Sequence, residues 1–184
     1  MKRIIISIGV VLLLSLSLYS GEKGSVRVTV GPLISADSNF TDIYGDVGFY
    51  PEIKAGYKIF RNIFFWIGYG YLSKKGTTPV LKLETVSVQH YFSFGAGFTS
   101  RIAEKLYYKA ELGLFLVNYK EKAMGDTRSE SDDGLHFNIG VIYNFSHRIF
   151  TEVSLGYLTA VDEVDEKSIK LGGFRTIIGL GVYF

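Results

Sequence analysis

Three histidines carry the side chains best suited to a catalytic reading, because a hydrolase or transferase near neutral pH needs a group that both takes and gives a proton. His90 interrupts an alternating apolar series between Val88 and Phe92. His136 falls opposite the apolar series Leu135, Phe137 and Ile139, and His147 lies in the polar triplet Ser146-His147-Arg148. No His-x-Ser arrangement accompanies any of them. Carboxylates offer a second chemistry. Asp162, Glu163, Asp165 and Glu166, like Asp132-Asp133, could attract a divalent cation, but their spacing fits no EF-type loop and such runs more often form a solvated charged loop. Cysteine is absent, which removes disulfides, CxxC redox chemistry and cysteine-rich zinc sites. No Gly-rich phosphate loop or cofactor fingerprint appears. The expectation is therefore a protein with no catalytic residue, no cofactor and no metal site.

A nucleic-acid partner is also not expected. The formal charge of +2 rests on Lys2 and Arg3; without them 18 basic residues face 18 acidic ones, and no basic patch with interleaved aromatics remains. Those two cations head a targeting segment. Ile4 to Leu18 is apolar apart from Ser7, Gly9, Ser15 and Ser17, and Leu18-Tyr19-Ser20 precedes polar Gly21-Glu22-Lys23. This is the grammar of a signal peptide, and a stretch of about fifteen apolar residues falls short of the ~20 that span a bilayer. Residues 1–20 are expected to be cleaved and 21–184 to form one domain.

Beyond residue 24 the dominant period is two. At the end of the chain Ile178, Leu180, Val182 and Phe184 alternate with Ile177, Gly179, Gly181 and Tyr183. Seven further segments read the same way: Val26, Val28 and Val30; Phe49 to Ile59; Ile63 to Tyr71; Val86 to Phe98; Tyr108 to Leu116; Leu135 to Phe145; and Thr151 to Tyr157. Each runs about ten residues or slightly more, enough for a tilted strand to cross the hydrocarbon core. Pro51 cannot donate to a ladder and is expected near an upper strand end or a bulge. Connections alternate between short turns, at Phe60-Arg61-Asn62, around Ser100 to Lys105 and at Ser146-His147-Arg148, and longer polar stretches at 35–46, 73–84, 119–134 and 160–170. The sequence therefore predicts an all-β fold, an eight-stranded antiparallel up-and-down transmembrane β-barrel, with periplasmic turns and mature termini and extracellular loops.

The opposite faces decide which side meets lipid. One carries Arg27, Glu52, Lys54, Lys58, Lys109, Glu111, Glu152 and Arg175, the other valine, leucine, isoleucine and aromatics. An eight-stranded interior is only wide enough to be filled by side chains. The polar face, with Gly68, Gly95, Gly113, Gly156, Gly179 and Gly181 to relieve crowding, is thus assigned to the lumen as a paired network. His136 falls inward, and His90 falls outward near the upper interface. The tyrosines Tyr57, Tyr69, Tyr71, Tyr108, Tyr143 and Tyr157 fit interfacial girdles. The loops sum to −3, +2, −2 and −2 in chain order, an acidic rim overall, while the turns hold Arg61, Arg101, Lys105 and Arg148 against Glu104.

On strand number, loop asymmetry and the terminus Gly179-Leu180-Gly181-Val182-Tyr183-Phe184, residues 24–184 resemble the small bacterial outer-membrane β-barrels of the OmpX/Ail and OmpA transmembrane-domain type. The resemblance implies that Leu180, Val182 and Phe184 form the signal read by the barrel-assembly machinery. It also implies outer-membrane lipid and lipopolysaccharide as partners, with an extracellular ligand at the loops. The expected function is non-enzymatic: envelope integrity, adhesion or binding through surface loops. Two alternatives are a minor pore and a lipid-modifying enzyme resembling lipid A deacylases, which carry a serine, a histidine and an acid on the outer surface. For the latter, Ser73 is the nearest outward serine. Its expected partner near Thr85 puts it too far from His90 for a hydrogen bond.

Overall fold

A computed structural model describes residues 23–78, 82–123, 126–164 and 167–184, so the expected signal peptide, residues 1–20, lies outside the described residues. Eight strands form one closed antiparallel barrel in sequence order: β1 (Gly24–Ser35), β2 (Val47–Lys58), β3 (Ile63–Thr77), β4 (Glu84–Arg101), β5 (Leu106–Ala123), β6 (Asp126–Asn144), β7 (Ile149–Val164) and β8 (Lys167–Tyr183). β8 returns to β1, pairing Val182 with Val26 and Ile178 with Val30, so no edge is left for lipid to solvate. A short helix, α1 (Ser38–Tyr44), sits in the first long connection.

The faces divide as the alternation predicts. Ile67 and Leu112 are 65% and 62% exposed, whereas Lys109 and Glu111 on the inner face are 0% and 1% exposed. A soluble barrel has the reverse arrangement; this one is stable only where apolar side chains are solvated by hydrocarbon. No helix among the described residues is long and apolar enough to cross a membrane.

The three short turns share one geometry. Ile59 and Phe60 donate to the Ile63 carbonyl, Ile102 and Ala103 to that of Leu106, and Phe145 and Ser146 to that of Ile149. Pro51 pairs with Val30 of β1. The β2–β3 ladder ends at Glu52↔Gly70, one residue short of Pro51, so the missing N–H falls where that ladder stops. Nearby, at the β1–β8 seam, Gly31 is forced: a Cβ there would lie 1.7 Å from the Thr176 carbonyl oxygen.

At the opposite end the expected loops prove to be largely strand. β5 and β6 stay paired through Ala123↔Asp126, well inside the stretch 119–134, and β7–β8 pairing reaches Val164↔Lys167. The stretch 73–84 likewise keeps β3 and β4 paired to Thr77↔Glu84. That register corrects the position of Ser73, which faces Val88 rather than the region of Thr85. In the stretch 35–46, Asp37 caps α1 by accepting from the Phe40 N–H at 2.8 Å, and Gly45 ends it at φ 76°. The Tyr44 hydroxyl meets Thr85 Oγ1 of β4 at 2.9 Å, and Lys74 Nζ donates to the Gly45 carbonyl, tying the helix to the barrel.

Candidate functional site

The lumen holds the densest chemistry of the molecule, and it is a closed ionic lattice. Strand alternation brings Arg27 (β1), Glu52 and Lys54 (β2), Lys109 and Glu111 (β5), Glu152 (β7) and Arg175 (β8) to one level, all buried. Glu111 is the hub: it accepts from Arg27, from Lys54 Nζ at 3.1 Å and from Asn138 Nδ2 at 3.1 Å, with Lys109 Nζ at 3.5 Å. Glu152 accepts from Lys109 at 2.8 Å and lies 3.4 Å from Arg27 Nε. Glu52 accepts from Arg175 Nη1 at 3.1 Å, beside Lys54 at 3.4 Å. Alternating cations and carboxylates in this way compensates the buried charges: Arg27, Lys54 and Lys109 each meet two carboxylates, and Arg175 meets Glu52.

Lys58, assigned to the same inner face, stands apart. It is exposed at the turn-side mouth, where a cavity opens below the lattice. His136 joins the lattice: its Nε2 lies 2.6 Å from Arg175 Nη2 and 3.4 Å from Lys54 Nζ. Arginine has only donors, so Nε2 accepts and the ring proton sits on Nδ1. The Trp66 ring packs edge-on to His136 at 4.6 Å and lies 4.6 Å from the Lys54 ammonium. A histidine held this way has no free nitrogen lone pair to offer a substrate.

Toward the loop end the lumen changes character. Leu33, Tyr50, Leu72, Tyr91, Phe115, Val117, Tyr119, Leu158 and Ala160 pack as one buried apolar cluster. The Tyr50 and Tyr91 rings meet edge-on at 5.3 Å, and Tyr91 leans on Phe115 at 5.6 Å. The Arg175 guanidinium lies 5.2 Å over the Tyr50 ring and joins lattice to plug. Apart from Tyr50, which alternation sets on the face of Glu52 and Lys54, these residues are not assigned to the lumen from sequence, although Tyr91-Phe92 and Phe115-Leu116-Val117 are places where both faces of a strand turn apolar together.

On the outer wall, His90 stays in regular register opposite Tyr71 and Asn118, with no bulge to turn it inward. The Tyr69 hydroxyl is 2.7 Å from its Nδ1. The corrected register leaves Ser73 diagonal to His90, nearer than expected, but the position directly opposite is Tyr71 and the neighbour on β5 is Asn118, not an acid. His147 lies exposed in the third turn. Among the described residues no group of three or more His, Asp and Glu is placed to hold a metal ion. Asp165 and Glu166 lie outside the described residues. At the outer edge of the plug, the Tyr119 hydroxyl, with Arg128 beside it, holds the Glu130 carboxyl below its ordinary value. At the terminus Leu180 and Val182 face outward, and Phe184 exchanges backbone hydrogen bonds with Gly24 at 2.8 and 2.9 Å.

A closed barrel with a charged, filled lumen and an apolar outer wall defines an integral membrane β-barrel. The family model for the outer membrane protein beta-barrel domain matches residues 6–176, and the chain belongs to that family, which places it in the bacterial outer membrane. Among solved structures it is similar to Neisserial surface protein A (16% identity, 88% of this chain and 97% of that one, TM-score 0.67). It is also similar to OprG from Pseudomonas aeruginosa (10% identity, 89% and 96%, TM-score 0.71). A third is Ail, the attachment invasion locus protein of Yersinia pestis, in complex with the heparin analogue sucrose octasulfate (15% identity, 88% and 98%, TM-score 0.56). At such identities these likenesses speak for the fold alone. No curated protein matches the sequence.

Proposed function

We propose that this barrel is a non-enzymatic surface protein. Its turns and mature termini face the periplasm, and its long hairpins project outward to engage lipopolysaccharide and external molecules. The observation that carries the reading is the β5–β6 hairpin. Above Leu116 its outward side chains switch from leucine to Asn118, Lys120 and Lys122, yet the ladder continues to Ala123, roughly 23 Å farther along the strand at ~3.3 Å per residue. A paired ribbon whose own outward side chains are polar belongs in water. The assembly-machinery role of Leu180, Val182 and Phe184 belongs to the same reading, supported by their place on the closing strand.

The outer face at the base of that hairpin suits an anionic lipid. Lys75, Val86, Lys122 and Thr127 form one cross-strand row, and Ser73, Val88, Lys120 and Ser129 form the row beneath it. Below these come Tyr71 and His90, then Phe92 and Leu116. Ammonium groups directly above an aromatic belt can meet the phosphates of lipopolysaccharide while the acyl chains cover the apolar wall. Replacing Lys75, Lys120 and Lys122 together by Gln is expected to cut lipopolysaccharide retained on the purified, folded barrel several-fold; unchanged retention removes this contact. For outside partners, trimming the hairpin to a short Asn-Gly turn after Leu116 should leave folding intact, read as heat-modifiable mobility. It should abolish attachment of expressing cells to protein-coated surfaces, and persistence of attachment argues against the hairpin. The Ail structure holds a sulfated sugar; the acidic sum of the loops here favours basic or polar partners instead.

The Tyr69–His90 pair favours a second reading, outer-surface lipid modification. It lacks an aligned nucleophile and acid, so His90→Ala is expected to leave the lipid A profile of expressing cells unchanged. A profile that reverts to that of cells lacking the protein would restore the enzyme.

A further inference from the structure

Below the ionic lattice the lumen opens at the turn end into a cavity of about 560 Å³, large enough for roughly twenty waters at ~30 Å³ each or for a small solute. Its charged lining is of one sign. Lys23, Arg27, Lys58, Arg61 and Arg101 line it, with His147, and among the described residues no Asp or Glu does. Arg27 forms part of the lining with its charge already met by Glu111 and Glu152. The other four cations are exposed, and among the described residues none of them forms a salt bridge; Arg101 spends one N–H on the Ala103 carbonyl at 3.2 Å.

Two of these cations are placed against their own repulsion. The Lys58 N–H donates to the Lys23 carbonyl at 2.7 Å, which continues the β1–β2 ladder and sets the two lysines directly opposite one another on the inner face. Like charges in that relation destabilise a strand pair. A single-sign cleft with low-dielectric walls also concentrates its field inward. The lining is not uniformly wet: Phe64, Ile142 and Phe150 are buried beside the cations, and Asn62, Ser100 and Asn144 add neutral hydrogen-bonding groups.

We propose that this turn-side vestibule binds a phosphate-bearing anion, held by Lys23, Lys58, Arg61 and Arg101 over an aromatic floor. The ligand chemistry is a phosphomonoester or phosphodiester, whose oxygens accept from several cations at once. Two sources supply it: a free soluble phosphate compound, or the headgroup of an anionic phospholipid at the barrel's lower rim. The site does not depend on which side of the membrane the turns occupy.

The test uses the whole folded barrel in non-ionic detergent, titrated calorimetrically with inorganic pyrophosphate. Saturable one-to-one binding that weakens with added salt is expected. The Lys58→Gln/Arg61→Gln variant should lose roughly tenfold or more in affinity, about one to two decades for two partly exposed cations. Both residues are exposed and outside the lattice, and heat-modifiable mobility verifies that the variant folds. Lys105→Gln/Arg148→Gln removes cations of the other two turns that do not line the cavity, and it should leave binding unchanged. Absence of saturable binding, or equal weakening by both double variants, overturns the proposal. A second arm compares the wild-type barrel in phosphatidylcholine and phosphatidylglycerol nanodiscs. Weaker pyrophosphate binding in phosphatidylglycerol, beyond that seen with the Lys105→Gln/Arg148→Gln control, identifies the headgroup as the occupant. Equal binding identifies a free phosphate compound.

Discussion

Glu111→Ala is expected to lower the unfolding midpoint of the barrel more than any other single lumen substitution, and in many preparations to prevent folding. Glu111 is 1% exposed and touches Arg27, Lys54, Lys109 and Asn138. Without it, Glu52 and Glu152 remain to balance Arg27, Lys54, Lys109 and Arg175, packed within reach of one another. Removing one partner of a buried ion pair costs about 3–5 kcal/mol, because the desolvated charge left behind has no water to turn to. Here several cations lose a partner at once, so the upper end of that range is the expectation. Glu111→Gln keeps the volume and an acceptor oxygen but not the charge, and should fall between wild type and Ala. Urea titration of the folded barrel reads the effect directly. Trp66 is the single tryptophan, is 2% exposed and lies 4.6 Å from the Lys54 ammonium, so its emission reports lattice loss, while heat-modifiable mobility reports the barrel. Coincident, unshifted midpoints for wild type and Ala would mean that water entering from the vestibule carries the charge instead.

The membrane-spanning part of each strand was legible because its two faces meet different solvents. Ile178, Leu180 and Val182 face lipid while Gly179 and Gly181 face the crowded lumen, so a period of two is written into residue type. Where both faces meet water that contrast disappears. Lys120, Glu121 and Lys122 are polar on every side, so a paired ribbon there reads as a loop. The same loss of contrast hid the register of Ser73, since a hairpin tip cannot be located when nothing distinguishes its inner from its outer residues. The helix α1 carried a local signal, Asp37 as N-cap ahead of Ser38–Tyr44 with Gly45 after it, but seven residues is too short for a helical period to stand out.

Lumen chemistry was legible as a set of residues and not as an arrangement. Alternation puts Lys58 on the same face as Lys54, but height along the barrel follows from strand tilt and register, which pattern alone does not supply. Four residues along β2 separate a lysine locked against Glu111 from one exposed at the mouth. His136 and Asn138 entered the lattice for the converse reason, since register set them beside Glu111 and Arg175.

The apolar plug bears most directly on the pore alternative. Phe115→Ala is expected to cost about 3–5 kcal/mol, the range for truncating a buried aromatic whose surroundings cannot collapse. Phe115 is 0% exposed, its ring supports Tyr91 at 5.6 Å, and its edge fills the notch over Gly134, where a Cβ would stand 2.7 Å away. Hydrogen-bonded strands on both sides hold the wall in place, so the void persists. The urea midpoint should fall accordingly. Liposome conductance should nevertheless stay at background, because the lumen is closed twice in series. Below the plug Arg175, Glu52, Lys54 and Glu111 still bridge the barrel, and Tyr50 remains clamped under the Arg175 guanidinium at 5.2 Å. Opening a path would need both closures broken, and breaking the ionic one already removes much of the stability that keeps the barrel closed. Conductance above background in Phe115→Ala alone would make the plug a gate rather than a filling, and would bring the pore reading back ahead of the surface one.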